Sequence, residues 1–245
     1  MVAANEELTE KFKTEAIKAG AVVYKAKGIK DASNYVLTLA QERKVKHAVK
    51  SKSKLADKLS LREHFEKAGI EVKDTDFEEW ITQLAGEKPS GRKTIKQVAE
   101  LISKATGKKL NPDPQLLLGA ANRAIRQSCI DADMGISEAG VAIAETGTLV
   151  IMGNSGDSRL AAVLPRIHLT MVDCENIVPT LEDATARIKS PGRNMADGDV
   201  SSYVTYITGR NTTADIPGAI LARAQGPEEE HILLLNKATI NRGIA

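Results

Sequence analysis

Segments with helix-spaced apolar residues alternate with short extended runs through the first third of the chain, and this alternation constrains the fold most. Leu8, Phe12 and Ala16 recur every four residues, with Asn5 as a candidate N-cap and Gly20 placed to end the helix. "AVVY" (21–24) reads as a strand, Ala32, Val36, Leu39 and Ala40 mark a second helix, and "VKHAV" (45–49) is extended. The unit then repeats: a helix over Leu55–Ala68, Gly69 at its end, a strand at Ile70–Val72 and a short helix over Asp76–Leu84. Strand–helix–strand units at this spacing predict an α/β fold with a mostly parallel sheet and helices on both faces.

"GEKPSGR" (86–92) is the clearest break in the pattern. Two helices follow, Thr94–Thr106 and Pro114–Ser128, so residues 86–128 read as a helical insert or cap within a single domain spanning 1–245. Strands return at 141–144, 148–152, 167–172, 203–208 and 231–235, with helices at Ser158–Leu164 and Leu181–Lys189 between some of them. Residues 189–202, rich in Gly, Asp and Ser, read as a surface loop.

Composition removes several function classes. No apolar run in the 245 residues is long enough to span a bilayer, and the polar start "MVAANEELTEKFK" is not a signal peptide, which predicts a cytoplasmic protein without a membrane segment. A net charge of +2 and 3% aromatic residues argue against a nucleic-acid surface. Cys129 and Cys174 stand apart, without CxxC spacing, so the chain cannot itself supply four thiolates to an iron–sulfur cluster. No HxH, HExxH, GxSxG, GxGxxG or GxxxxGK[ST] pattern occurs.

The polar residues that interrupt the strands of the second half are the candidates for chemistry. In "GVAIAETGTLVI" (140–151), Glu145, Thr146 and Gly147 separate two apolar runs. Open α/β sheets bind ligands beyond the carboxyl ends of their strands, which makes Glu145 a candidate catalytic carboxylate and Thr146 and Gly147 ligand contacts. Gly147 would let a ligand or a second backbone approach closely. Arg159, early in the next helix, offers a fixed cation for a carboxylate or phosphate. Thr213 and Asp215 lie in a polar turn after another strand and are expected to meet Glu145 in one cleft. Lys50, Lys52 and Lys54 alternate and would share one face of an extended segment, so Lys52 and Lys54 are candidate ligand contacts. Each feature also has a plain reading: a strand–turn–strand, a capped helix, a solvated edge. His168 and His231, alone near strand starts, read as hydrogen-bonded packing residues.

"AETGTLVI", then "LPRIHLTMVDCENIVPTLEDA", then "TADIPGAILARAQGPEEEHILLLN" resemble, in that order and spacing, the LUD-domain family, the lactate-utilisation proteins B and C. "VKSKSKLADKLSLREHFEKAGIEVKDTDFEEWITQLAGEKPS" resembles the B-type members. The resemblance implies a fold of the NagB, ribose-5-phosphate isomerase and CoA-transferase-like group, and a part in oxidising L-lactate to pyruvate. It places that part within a multi-protein iron–sulfur system; with no cluster motif or nucleotide fingerprint in the sequence, no intrinsic cofactor is expected, the clusters are expected on partner proteins, the expected ligand is a small carboxylate or phosphate, and homo-oligomerisation is left open. B-type members continue into a cysteine-rich segment, so with two cysteines this chain is expected to be a stand-alone LUD domain. Where the family commonly has Ser-Arg before the "TADI" motif, this chain has Asn211–Thr212, with an arginine at Arg210. Two alternatives stand beside this reading: an independent CoA-transferase or sugar-phosphate-isomerase-like enzyme using Glu145 as nucleophile or base, and a non-catalytic scaffold.

Overall fold

The protein is described by a computed structural model over residues 2–86, 93–153, 156–189, 203–210 and 226–236. Residues 190–202 of the surface loop expected at 189–202, and Thr213 and Asp215, lie outside the described residues, while Lys189 ends a helix. The first half comprises α1 (Val2–Lys18), β1 (Val22–Lys25), α2 (Ile29–Glu42), β2 (His47–Lys50), α3 (Lys54–Lys58), α4 (Leu61–Lys67), β3 (Glu71–Asp74), α5 (Phe77–Ala85), α6 (Ile95–Thr106) and α7 (Pro114–Asp131). The second half comprises β4 (Met134–Ala139), β5 (Val141–Ile143), β6 (Thr148–Gly153), α8 (Asp157–Val163), β7 (Ile167–Asp173), β8 (Ile177–Val178), α9 (Leu181–Lys189), β9 (Tyr203–Thr208) and β10 (Glu229–Leu235).

Six strands form one sheet in the order β1-β10-β7-β4-β2-β3, parallel throughout. The chain moves outward from β2 to the edge strand β3, then returns through α5–α7 to β4 and continues in the opposite direction to β7 and β10. The β2–β4 boundary is therefore where the winding reverses. A second sheet, β8-β5-β6-β9, grows from the carboxyl ends of the first: β4 passes through Gly140 into β5, and β7 passes through the turn Cys174–Asn176 into β8. Within it β6 runs antiparallel to both β5 and β9.

One face of the parallel sheet packs Ile136, Leu169, Met171 and Leu233 against Val36, Leu55 and Phe65 of α2, α3 and α4. On the other face Val172, Ile232 and Leu234 meet Phe12 and Ala16 of α1 and Leu149 of β6. Helices α5–α8 share a further apolar cluster with Val49 of β2, built around Trp80, Ile102, Leu117 and Ala161. Local chemistry marks the helix starts: Asp76 accepts from the Glu78 and Glu79 N–H groups, Thr94 and Gln97 cap reciprocally, and Asp113 precedes Pro114.

Three local expectations differ from the structure. Helix α1 begins at Val2 and runs through Asn5 rather than being capped by it. The helix expected over Leu55–Ala68 breaks at Ser60, which is left-handed at φ 47°. Leu59 and Leu61 flank the break and are both buried; two residues apart on a continuous helix they would point about 200° from each other. Most telling is β4, a central strand absent from the sequence reading. "MGISEA" lacks the β-branched character of a buried strand because two of its positions answer to tertiary demands. A Cβ on Gly135 would lie 1.8 Å from the Ala161 carbonyl oxygen of α8, and Ser137 belongs to a buried polar network.

Candidate functional site

Ligands of open parallel sheets gather beyond the carboxyl ends of the strands where the winding reverses. Here that place is the turn from β2 into α3, lying over the end of β4. The Ser51 N–H donates to the Ile136 carbonyl at 2.9 Å, which ties the turn to β4. Ser53 caps α3, accepting from the Ala56 N–H at 3.0 Å. Glu138 of β4 completes the arrangement: its Oε2 accepts from the Ser53 hydroxyl at 2.8 Å and the Leu55 N–H at 3.0 Å. A half-buried carboxylate on one strand thus shapes the loop leaving the next.

The three alternating lysines are divided by this geometry. Lys50 is buried, with Nζ 3.0 Å from Glu79, 3.5 Å from Asp57 and 3.5 Å from Asp74. Burial opposes its charge, but the three carboxylates outweigh burial and hold its pKa above the ordinary 10.5. Burial also pushes the Glu79 carboxyl above 4.5, against the opposing pull of Lys50. Arg62 pairs with the other oxygen of Asp74. Lys52, in the turn, and Lys54, at the start of α3, are exposed. The shared extended face is therefore corrected: Lys50 anchors the strand end, while Lys52 and Lys54 stand at the winding reversal.

Glu145 lies elsewhere, in the β5–β6 turn of the second sheet rather than at the carboxyl edge of the parallel one. It is exposed and accepts from the Leu181 N–H at 2.9 Å, at the start of α9. The hydroxyls of Thr146, Thr148 and Thr208 form a chain with 2.7 Å links that joins the turn to β9. Gly147 sits at φ 65°, and a Cβ there would come within 2.2 Å of the Ala16 nitrogen, so the close approach it permits is that of the α1 backbone. Arg159 is exposed on α8. None of the hydrogen bonds or ion pairs described for these residues joins Glu145 to Arg159.

Reading the strands separately missed a second polar cluster. His168 Nδ1 is 2.7 Å from Glu230 Oε2, and its Nε2 is 2.7 Å from Ser137 Oγ. The Thr170 hydroxyl donates to Glu230 Oε1 at 3.1 Å. None of the four residues is more than 1% exposed. The available signal was a charged or hydroxyl residue inside the apolar strands β7 and β10, whereas β4, which carries Ser137, has no such pattern. His231 meets Tyr35 and Glu229, and Glu229 is bound by the Arg43 guanidinium.

Cys129 and Cys174 belong to different apolar clusters, and burial pushes their thiols up to about 12 and about 11. Among the described residues no group of three or more His, Cys, Asp or Glu is placed to hold a metal ion, and no helix is long and apolar enough to cross a membrane.

Residues 9–235 match the model of the LUD domain family. Lactate utilization protein B of Shouchella clausii is 30% identical over 231 residues, which are 91% of this chain and 47% of that protein. The Bacillus subtilis protein of the same name is 29% identical over the same shares. A protein of Escherichia coli named an uncharacterized electron transport protein, YkgF, is 28% identical over 89% of this chain and 45% of its own length. The chain spans about half the length of these relatives. A crystal structure of a DUF162 family protein from Deinococcus radiodurans has a similar fold, with a TM-score of 0.50 at 13% identity over 94% of this chain and 97% of that one.

Proposed function

Because the chain belongs to the LUD domain family, we propose that it serves in the oxidation of L-lactate, or a related 2-hydroxy acid, to pyruvate. The observation that carries this reading is the match of nine-tenths of the chain to proteins named for lactate utilization. Lactate loses two electrons and two protons in becoming pyruvate. On this reading the electrons pass to iron–sulfur clusters bound outside these 245 residues, whose two cysteines are both buried and lie in different apolar clusters. Its own part is to bind the small carboxylate at the β2–α3 turn, where Lys52 and Lys54 supply positive charge and Glu138 sets the loop. Glu145, bonded to the start of α9, is read as a joint of the second sheet.

The test is anaerobic reconstitution of the full chain with iron–sulfur lactate-utilisation proteins, following lactate-dependent reduction of an artificial acceptor. Turnover is expected to require the chain. The Lys52→Gln/Lys54→Gln variant is expected to raise the lactate KM about tenfold or more, the scale of one charged hydrogen bond. Full turnover without the chain overturns the pathway reading. An unchanged KM in the variant overturns the binding site alone.

A further inference from the structure

Strands buried on both faces lose the usual signal for register, because an apolar side chain suits either face. Strands β7 and β10 are of this kind, while neighbouring β4 is also held by the close approach of Gly135 to the Ala161 carbonyl of α8. Leu169, Met171 and Leu233 face α2–α4, while Val172, Ile232 and Leu234 face α1 and β6. Sliding one strand past another by one residue would exchange one apolar set for another at little hydrophobic cost.

The polar network breaks that degeneracy. Gly135, His168 and Glu230 are register partners across the three strands, as are Ser137, Thr170 and Ile232. The His168–Glu230 bond crosses the β7–β10 boundary, and the His168–Ser137 bond crosses the β4–β7 boundary. A one-residue slip would turn His168 or Glu230 onto the face of Met171 and Leu233, where each would be buried without its partner. A one-residue slip of β4 would part Ser137 from His168 and turn Glu138 away from Ser53 and Leu55.

We propose that Ser137, His168, Thr170 and Glu230 form a register lock for the parallel sheet, selecting the single alignment in which β4 directs Glu138 at the β2–α3 turn. Replacing a buried polar network by an apolar core of equal shape is often neutral or stabilising, so the effect assigned to this network is on uniqueness rather than net stability. All four side chains are sealed from solvent, so the lock acts within the fold rather than on a substrate.

The test replaces the network by apolar groups of similar shape: Ser137→Ala, His168→Leu, Thr170→Val and Glu230→Leu together in the full chain. The melting temperature is expected to match or exceed that of wild type. The amide spectrum is expected to show two or more sets of resonances for β4, β7, β10 and Leu55. A single wild-type-like set, including Leu55, overturns the proposal, and so does failure of this variant to fold, since the network would then supply stability itself. The milder Ser137→Ala/Thr170→Val variant keeps the His168–Glu230 pair. It is expected to fold with faster amide exchange at the β4–β7 boundary, and wild-type exchange there also overturns the proposal. Labelling of Ser137 in the folded wild type by a fluorophosphonate would show a reactive serine instead and overturn it equally.

Discussion

Glu138 and Glu145 lie on either side of β5, and each accepts a backbone N–H from the first turn of a helix elsewhere in the chain. Their surroundings separate them. Glu138 is half-buried at the reversal of the winding, binds both a hydroxyl and an N–H, and shapes a loop bearing two exposed lysines. Glu145 is exposed at a hairpin tip and binds one N–H. Prominence in the sequence and position in the fold are therefore different things: the conspicuous glutamate joins structural elements, and the inconspicuous one sits where parallel sheets take ligands.

The largest expected effects come from the glycine beside each glutamate. Gly135→Ala places a Cβ 1.8 Å from the Ala161 oxygen, and Gly147→Ala places one 2.2 Å from the Ala16 nitrogen at a left-handed φ of 65°. Each should cost about 3 kcal/mol or more, as backbone must move to make room. Chemical denaturation measures this. A loss below about 1 kcal/mol at either site would mean that the close helix contact is not rigid there.

The glutamates themselves should differ more modestly. Glu138→Ala is expected to lose about 2 kcal/mol, because two donors in a partly buried loop lose a charged acceptor. Glu145→Ala should lose about 0.5 kcal/mol, the scale of one exposed charge at a helix start. Equal losses in thermal and chemical unfolding would remove the distinction between the two sites.

The smallest effect is a pH slope at the carboxyl edge. Burial raises the Glu79 carboxyl above 4.5, against the pull of Lys50, so the folded protein holds that proton to higher pH than the unfolded chain does. Folding stability should therefore fall as pH rises from 4.5 through the raised value, and Glu79→Gln should flatten that part of the profile. A slope of the opposite sign that disappears in Glu79→Gln would mean that Lys50 dominates Glu79.

Much of the architecture was legible before any tertiary information. Helix spacing, Asp76, Thr94 and Pro114 marked local structure, and the alternation of strands and helices implied the parallel sheet. Less of the site could be read. Lys52 and Lys54 were picked out by their spacing, but Lys50 left their company because Asp57, Asp74 and Glu79 reach it from three different elements.

What the sequence determined by itself was local and periodic: which segments are helical or extended, where caps stop them, and which cations crowd together. The tertiary structure decided which strand lies at the centre, which glutamate faces the reversal of the winding, and that Ser137, His168, Thr170 and Glu230 are one network. The physical reason is that these properties depend on neighbours distant in the chain. Gly135 is required by the backbone of α8, Gly147 by α1, and Ser137 by a histidine on the neighbouring strand that stands in register with Gly135, and no local propensity encodes any of those contacts.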